Sequence, residues 1–342
     1  MHFFDNKVGT LPNGNTGVLN VGSGMYFYNS SNNIIGGASE IEGNIIGSQN
    51  LNAISMILNS SGNVISHNKI GVGADGVSNI GNAIIGIAIS GANTGNAIVE
   101  NVIANNDRGV VLQASGGTPT GVTISENSMY NNATLGIDLM GSTENDVDDA
   151  DSGPNNLQNT PEISAIVNLG DDALEVTYSV PSSITNSVYP MVIEFFGAAN
   201  GQGKFFIEAD NYLEPGNKTV PLNLPTGYDV NDYLTIVATA TDANGNTSEF
   251  GIYIDSTLSI VQLVNDTFKL YPNPVSDRLF IQSPASGTYD LELVNTLGQV
   301  ILSQKNNNAS IELEVSNLSK GFYFLNMTSE KGHTETIKFI KK

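Results

Sequence analysis

Gly95-Asn96-Ala97-Ile98-Val99-Glu100-Asn101-Val102-Ile103 is the stretch on which the fold turns. Its opening pattern returns at Gly43-Asn44-Ile45-Ile46, Gly62-Asn63-Val64-Ile65 and Gly81-Asn82-Ala83-Ile84. Its second half places an Asn three residues after an apolar residue and another apolar residue two further on. The same order joins Ile65, Asn68 and Ile70, then Ile98, Asn101 and Ile103, then Ile124, Asn127 and Met129. A further pattern, small–apolar–any–apolar, marks short strands at Ala53-Ile54-Ser55-Met56, Gly86-Ile87-Ala88-Ile89, Gly109-Val110-Val111-Leu112 and Gly136-Ile137-Asp138-Leu139. These strands are spaced like the coils of a solenoid.

A right-handed parallel β-helix satisfies all three patterns. Alternating Ile and Val fill the interior of each coil, while Asn and Gly take the turns, where positive φ is tolerated. Asn at one turn position of successive coils can stack into an amide ladder. A parallel sheet crossed by helices fails, because no amphipathic helix of 10–15 residues separates the strands.

Working outward, residues 1–143 read as β-helix repeats and 144–160 as an acidic connecting loop. From about Pro161 the texture changes to longer alternating strands, such as Ala173-Leu174-Glu175-Val176-Thr177-Tyr178 and Tyr233-Leu234-Thr235-Ile236-Val237-Ala238-Thr239-Ala240. Residues 161–256 therefore read as an antiparallel, Ig-like β-sandwich, 257–266 as a linker and 267–342 as a second sandwich. The expected fold is all-β: a parallel β-helix, truncated at its N-terminus, followed by two Ig-like β-sandwich domains. The start, Met1-His2-Phe3-Phe4-Asp5-Asn6-Lys7, lacks the basic and apolar regions of a signal peptide. The expectation is that a leader and further coils lie upstream.

Composition narrows the function classes. The 342 residues carry a net charge of −21 and no cysteine, so neither disulfides nor thiolate metal sites are available. Residues 262–342 are neutral, so the whole imbalance lies before them: 26 acidic against five basic side chains. Such a surface repels nucleic acid and anionic lipid. No apolar run is long enough to span a bilayer.

Two resemblances follow from particular motifs. Gly136-Ile137-Asp138-Leu139 precedes a stretch from Asn145-Asp146 through Asp149, Asp151 and Gly153-Pro154-Asn155-Asn156-Leu157-Gln158-Asn159 to Pro161. Further on stand Ala238-Thr239-Ala240-Thr241-Asp242 and Gly245-Asn246-Thr247-Ser248-Glu249-Phe250. Together these resemble a group of bacterial secreted parallel β-helix proteins, a likeness that implies architecture and export but no shared activity. The C-terminal end carries Leu270-Tyr271-Pro272-Asn273-Pro274-Val275-Ser276-Asp277, Asn295-Thr296-Leu297-Gly298-Gln299-Val300, Leu318-Ser319-Lys320-Gly321-Phe322-Tyr323-Phe324-Leu325 and the basic Ile337-Lys338-Phe339-Ile340-Lys341-Lys342. It is similar to the type A sorting domain of the type IX secretion system.

That resemblance implies a small β-sandwich read by an outer-membrane translocon. It also implies removal by a sortase-like peptidase that joins the passenger to surface glycolipid. The expected location is the exterior of a Gram-negative bacterium, or the medium. Tyr271, Pro272, Asn273, Pro274, Gly298, Gly321, Tyr323, Lys338, Lys341 and Lys342 carry the signal in this reading. The residues agree with a β-sandwich: Pro272 and Pro274 lack N–H groups and suit the opening of an edge strand, and Gly298 and Gly321 suit hairpin turns.

Candidate chemistry centres on Glu144, Asp146, Asp148, Asp149 and Asp151. Ca²⁺ takes six to eight oxygens, and Asp146, Asp148, Asp149 and Asp151, with Asn155 as a spare oxygen, form a candidate calcium loop. The competing reading is a solvated interdomain turn. Asp242, Asn244 and Asn246 read better as a hydrogen-bonded turn than as ligands, and His67 as a turn residue. A β-helix lyase or glycoside hydrolase needs a base or two facing carboxylates. Residues 1–160 hold only Lys7, Lys69 and Arg108 as basic side chains, and no carboxylate pair is expected to recur at coil spacing. The leading expectation is a non-catalytic passenger for adhesion or binding of an extracellular polysaccharide. The alternative is a carbohydrate-active enzyme.

Overall fold

The computed structural model describes residues 1–140, 144–170, 173–225, 235–251, 269–282, 289–295, 299–306, 310–329 and 334–342. It divides into two compact units, Met1–Ser259 and Ile260–Lys342. The expected linker at 257–266, Gly298 and the strand start at Tyr233-Leu234 lie outside the described residues.

The first unit opens with a β-solenoid of about five turns. Each turn contributes one short strand to each of three parallel sheets. The first sheet stacks His2–Phe3, Ile34–Gly36, Val64–Ser66, Ala97–Val99 and Thr123–Ser125. The second stacks Lys7–Val8, Ile45–Ile46, Lys69–Ile70, Val102–Ala104 and Ser128–Tyr130. The third stacks Met25–Tyr28, Ile54–Ile57, Ile85–Ser90, Arg108–Gln113 and Ile137–Asp138.

Register brings like residues above one another. Ile35, Ile65, Ile98 and Ile124 form one interior column. Ile46, Ile70, Ile103 and Met129 form a second, and Ile54, Ile87, Val110 and Ile137 a third. All belong to one buried core, and burying each such side chain is worth about 1.5–3 kcal/mol. The small residue that opens each third-sheet strand has a steric cause: a Cβ on Gly109 would lie 2.3 Å from the Gly136 carbonyl oxygen on the next coil.

Asn residues hold the corners. Between the first and second sheets, Asn6, Asn44, Asn68 and Asn101 each donate a backbone N–H and a side-chain amide to Oδ1 of the Asn on the next coil, ending at Asn127, at 2.8–3.0 Å. A second ladder joins Asn82, Asn106 and Asn132, and a third Asn33, Asn63 and Asn96. The four Gly-Asn repeats of the sequence thus serve three different corners rather than one.

The rest of the first unit pairs two three-stranded antiparallel sheets. One holds Glu162–Gly170, Ala173–Ser179 and Lys218–Asn223, and the other Met191–Ala199, Gln202–Tyr212 and Ile236–Thr241. Leu174, Val176 and Tyr178 from one sheet share a core with Ile193, Phe195 and Ala238 from the other, the arrangement of a β-sandwich. The second unit repeats this scheme with three strands (Lys269–Tyr271, Arg278–Gln282, Ser310–Glu314) facing four (Tyr289–Asn295, Val300–Asn306, Gly321–Ser329, Thr334–Lys341). Its core includes Leu279, Leu313, Leu291, Leu325 and Phe339.

Candidate functional site

A β-helix must end, and its last coil presents backbone donors with no further coil to receive them. Here the sandwich and the acidic turn supply the receivers. Gln202 continues the second ladder: its Oε1 accepts the Asn132 side-chain amide at 2.8 Å, and its Nε2 donates to the Asn132 carbonyl at 2.7 Å. Where Asn96 is succeeded by Val122, Asn155 takes the next rung, accepting from Val122 N–H at 3.0 Å and donating to the Val122 and Thr247 carbonyls. Glu194 accepts from the Ser125 hydroxyl and the Glu126 N–H. Glu249 accepts from Leu139 N–H at 2.8 Å. Burial raises the carboxyl of Glu194 and lifts that of Glu249 to about 7. Sequence reasoning missed Glu194, Gln202 and Glu249 as partners of the coil end, because each acts across a gap of about 70 residues or more.

The acidic turn lies beside this junction. Asp146, Asp149 and Asp151 each bring one carboxylate oxygen to within 4.8 Å of the others. Asp149 is buried and accepts from Asn159 N–H, Gln158 Nε2 and the hydroxyls of Ser182 and Ser187. Asp146 uses Oδ2 to accept from Ala150 and Asp151 N–H, at 3.0 and 3.1 Å. Its Oδ1, like the Oδ1 of Asp151, is buried without a donor among the described residues. Burial, then the neighbouring carboxylates, raises the carboxyl of Asp151.

Two of the expected ligands point elsewhere. Asp148 is exposed, and its carbonyl accepts from Ser183 and Asn186. The amide of Asn155 is committed to the ladder. Asp242 closes a turn on Asn244 and Asn246 N–H, and Asn246 in turn accepts from Gly121.

One expectation is overturned. Carboxylates do recur at coil spacing: Val99 pairs with Ser125, which places Glu100 beside Glu126, both with left-handed φ near 50°. The sequence carried the signal for this pair, since Glu100 and Glu126 each stand directly before an Asn of the aligned repeat, Asn101 and Asn127. His67 occupies the same corner one coil earlier, with Nε2 3.3 Å from Glu100. Arg108 lies 3.1 Å from Asp138 and 3.8 Å from Asp107.

In the second unit, Asn273 ties the start to the end: its Oδ1 accepts from Ile340 N–H at 2.9 Å and its Nδ2 donates to the Lys338 carbonyl at 3.3 Å. Pro272 and Pro274 follow the edge strand Lys269–Tyr271 instead of opening it. Tyr323 is buried, stacks on Phe339 at 5.7 Å and donates its hydroxyl to Ser319. Lys338 sits 4.0 Å over the Phe322 ring, and Lys341 is buried. Gly321 begins the strand that carries Tyr323.

Residues 269–342 match the family described as the secretion system C-terminal sorting domain. This end of the chain is a type IX sorting domain. A chain carrying a sorting domain of this kind is an exported protein, secreted or held at the cell surface. No curated protein matches the chain.

Among solved structures, the chain is similar to PorZ, a surface component of the type IX secretion system of Porphyromonas gingivalis. That match has 14% identity and a TM-score of 0.22, over 31% of this chain and 15% of the other. Dimeric latent PorU of the same organism matches at 15% identity and a TM-score of 0.20, over 54% and 20%. A pullulanase from Klebsiella pneumoniae matches at 14% identity and a TM-score of 0.19, over 47% and 20%. The chain thus spans a fifth or less of the length of these proteins, and likenesses this loose carry no argument about its passenger. Among the described residues, no helix is long and apolar enough to cross a membrane.

Proposed function

We propose that the sorting domain is read by the type IX outer-membrane translocon and removed by a sortase-like peptidase, leaving the passenger on surface glycolipid or in the medium. The observation that carries this reading is the family match over residues 269–342, in a neutral module with its own core. In this reading the passenger, β-helix and Ig-like sandwich together, is non-catalytic and serves adhesion or glycan binding. Its buried carboxylates Glu194 and Glu249 are engaged in closing the coil end, which leaves them no free role in glycoside hydrolysis. A carbohydrate-active enzyme is the second reading, and the adjacent Glu100 and Glu126 are what favours it.

The sorting role is tested by export. Residues 262–342, fused behind a signal peptide and a fluorescent reporter, should bring the reporter to the surface or medium of a host with type IX machinery. The same fusion lacking the last twenty residues should stay in the periplasm. Equal export of both fusions, or of neither, refutes the assignment.

We further propose that Asp146, Asp149 and Asp151 hold Ca²⁺. Three carboxylates in one small volume repel each other without a cation, and two of their oxygens are buried without a donor. Hard oxygen donors of this kind are what Ca²⁺ takes.

A further inference from the structure

We propose that a recess on the β-helix, at the foot of two matching hairpins, binds a neutral saccharide. The inference rests on the reading of the passenger as glycan-binding and names its site and ligand class.

The recess arises from unequal coil lengths. At the corner after the second sheet, a ladder runs from coil to coil through Asn20, Gln49, Asn82 and Asn106. Only two residues separate Ile46 from Gln49 and Ile103 from Asn106, whereas eleven separate Val8 from Asn20 and Ile70 from Asn82. The first and third coils thus carry equal insertions at one place. Both insertions fold as hairpins, closed by Leu11 N–H on the Thr16 carbonyl and by Gly73 N–H on the Ser78 carbonyl, each at 2.8 Å. Asn13 Oδ1 and Asp75 Oδ1 accept from equivalent turn N–H groups, and Gly14 and Gly76 both adopt a φ of 73°. The hairpins bridge the short coil between them. Ala74 N–H donates to the Gly14 carbonyl at 3.1 Å, and Asp75 N–H donates to Asn15 Oδ1 at 3.0 Å.

An open recess of about 460 Å³ lies at their foot, a volume usual for small-ligand sites. Leu19, 71% exposed, and the exposed Ala83 are its apolar groups. Ser48, Asn79 and Asn105 are its polar ones. Asn79 Oδ1 accepts from Gly81 N–H at 3.0 Å, and Asn105 Nδ2 donates to the Gly71 carbonyl at 3.0 Å. These bonds fix both side chains and leave Asn79 Nδ2 and Asn105 Oδ1 without a partner among the described residues. Ser48 Oγ is likewise without one. Gly17 keeps that hydroxyl uncovered, since a Cβ there would lie 2.0 Å from it.

This set of groups selects the ligand. A hydroxyl, an amide donor and an amide acceptor are what the vicinal hydroxyls of a sugar can pair with, while Leu19 and Ala83 meet its C–H face. Peptides are taken up at a sheet edge, an apolar groove or a charged cluster, and the turn residues of this recess form none of these. Among the described residues no charged side chain lines it. Residues 1–261 hold 26 acidic and five basic side chains, so an anionic polymer is repelled and a neutral one is not.

Native affinity electrophoresis of the full chain tests the proposal, with gels containing laminarin, xyloglucan, galactomannan or amylose, and alginate as the anionic comparison. The wild-type chain should be retarded by at least one neutral polymer and not by alginate. Asn79→Asp keeps the acceptor for Gly81 N–H and removes the free donor, and Ala83→Met fills the recess from an exposed position. Each should weaken binding about five-fold or more; unchanged melting by circular dichroism establishes that the variants are folded. Undiminished retardation of either folded variant overturns this site and leaves the glycan-binding reading standing. No retardation by any neutral polymer overturns both, and retardation by alginate equal to that by neutral polymers overturns the ligand class.

Discussion

Glu249 makes the junction between coil end and sandwich sensitive to pH in a direction opposite to that of most carboxylates. It is buried, it accepts from Leu139 N–H, and the charge that acts on it is that of another acid, Asp138. Burial lifts its carboxyl from the ordinary 4.5 to about 7. The folded protein therefore holds a proton there that the unfolded chain releases, so stability is fullest below about pH 4.5 and is lost as pH rises through 7. At about 1.4 kcal/mol per pH unit, the cost approaches roughly 3 kcal/mol in full, and about 2.5 kcal/mol of it falls between pH 5 and pH 8.

Glu249→Gln keeps an oxygen for Leu139 and removes the titration. Urea unfolding at pH 5 and pH 8, followed by far-ultraviolet circular dichroism because the chain has no tryptophan, should show the wild type less stable at pH 8. The variant should close about 2.5 kcal/mol of that gap. A gap of the same size in both proteins would falsify the role given to this carboxyl.

Other perturbations probe separate parts of the fold. Ile87→Asp places a carboxylate in the middle of an interior column and should unfold the β-helix, at a cost of several kcal/mol; an unchanged unfolding midpoint would remove Ile87 from the core. Asn101→Ala strips acceptors from Asn68 and donors to Ile65, Val99 and Asn127, and should cost about 3 kcal/mol in urea unfolding. Gln202→Ala cuts one ladder where it crosses into the sandwich and should cost about 2 kcal/mol; amide exchange of Asn132 and its neighbours should quicken, and unaltered exchange contradicts the capping role. Millimolar Ca²⁺ should raise the melting temperature of the wild type but not of Asp146→Asn/Asp151→Asn, and identical curves with Ca²⁺ and with chelator exclude the ion.

The interior of the coils was legible because alternation is local: Ile87 and Ile89 face inward whatever lies elsewhere in the chain. The sorting domain was legible because its motifs stand in order within one short module. The corners were only half legible. Each of the three corners needs acceptors for its turn N–H groups, so the same Gly-Asn pair serves at Asn44, Asn63 and Asn82, and nothing local says which ladder a given pair joins. The adjacency of Glu100 and Glu126 was within reach of the sequence, since each directly precedes an Asn of the aligned repeat, Asn101 and Asn127.

The sequence by itself determined an all-β chain, its coiled repeat and its C-terminal sorting module, since periodicity and short motifs are set by neighbouring residues. Only the tertiary structure decided how the β-helix ends. Asn155, which sequence offers equally to a cation or a turn, is drawn into a ladder because Val122 cannot supply the next amide rung. Gln202 and Glu249 acquire their roles only where the sandwich meets the last coil. The unpaired donors of that coil must be met by some acceptor, and which residue arrives is fixed by packing across the chain and not by anything beside it in sequence.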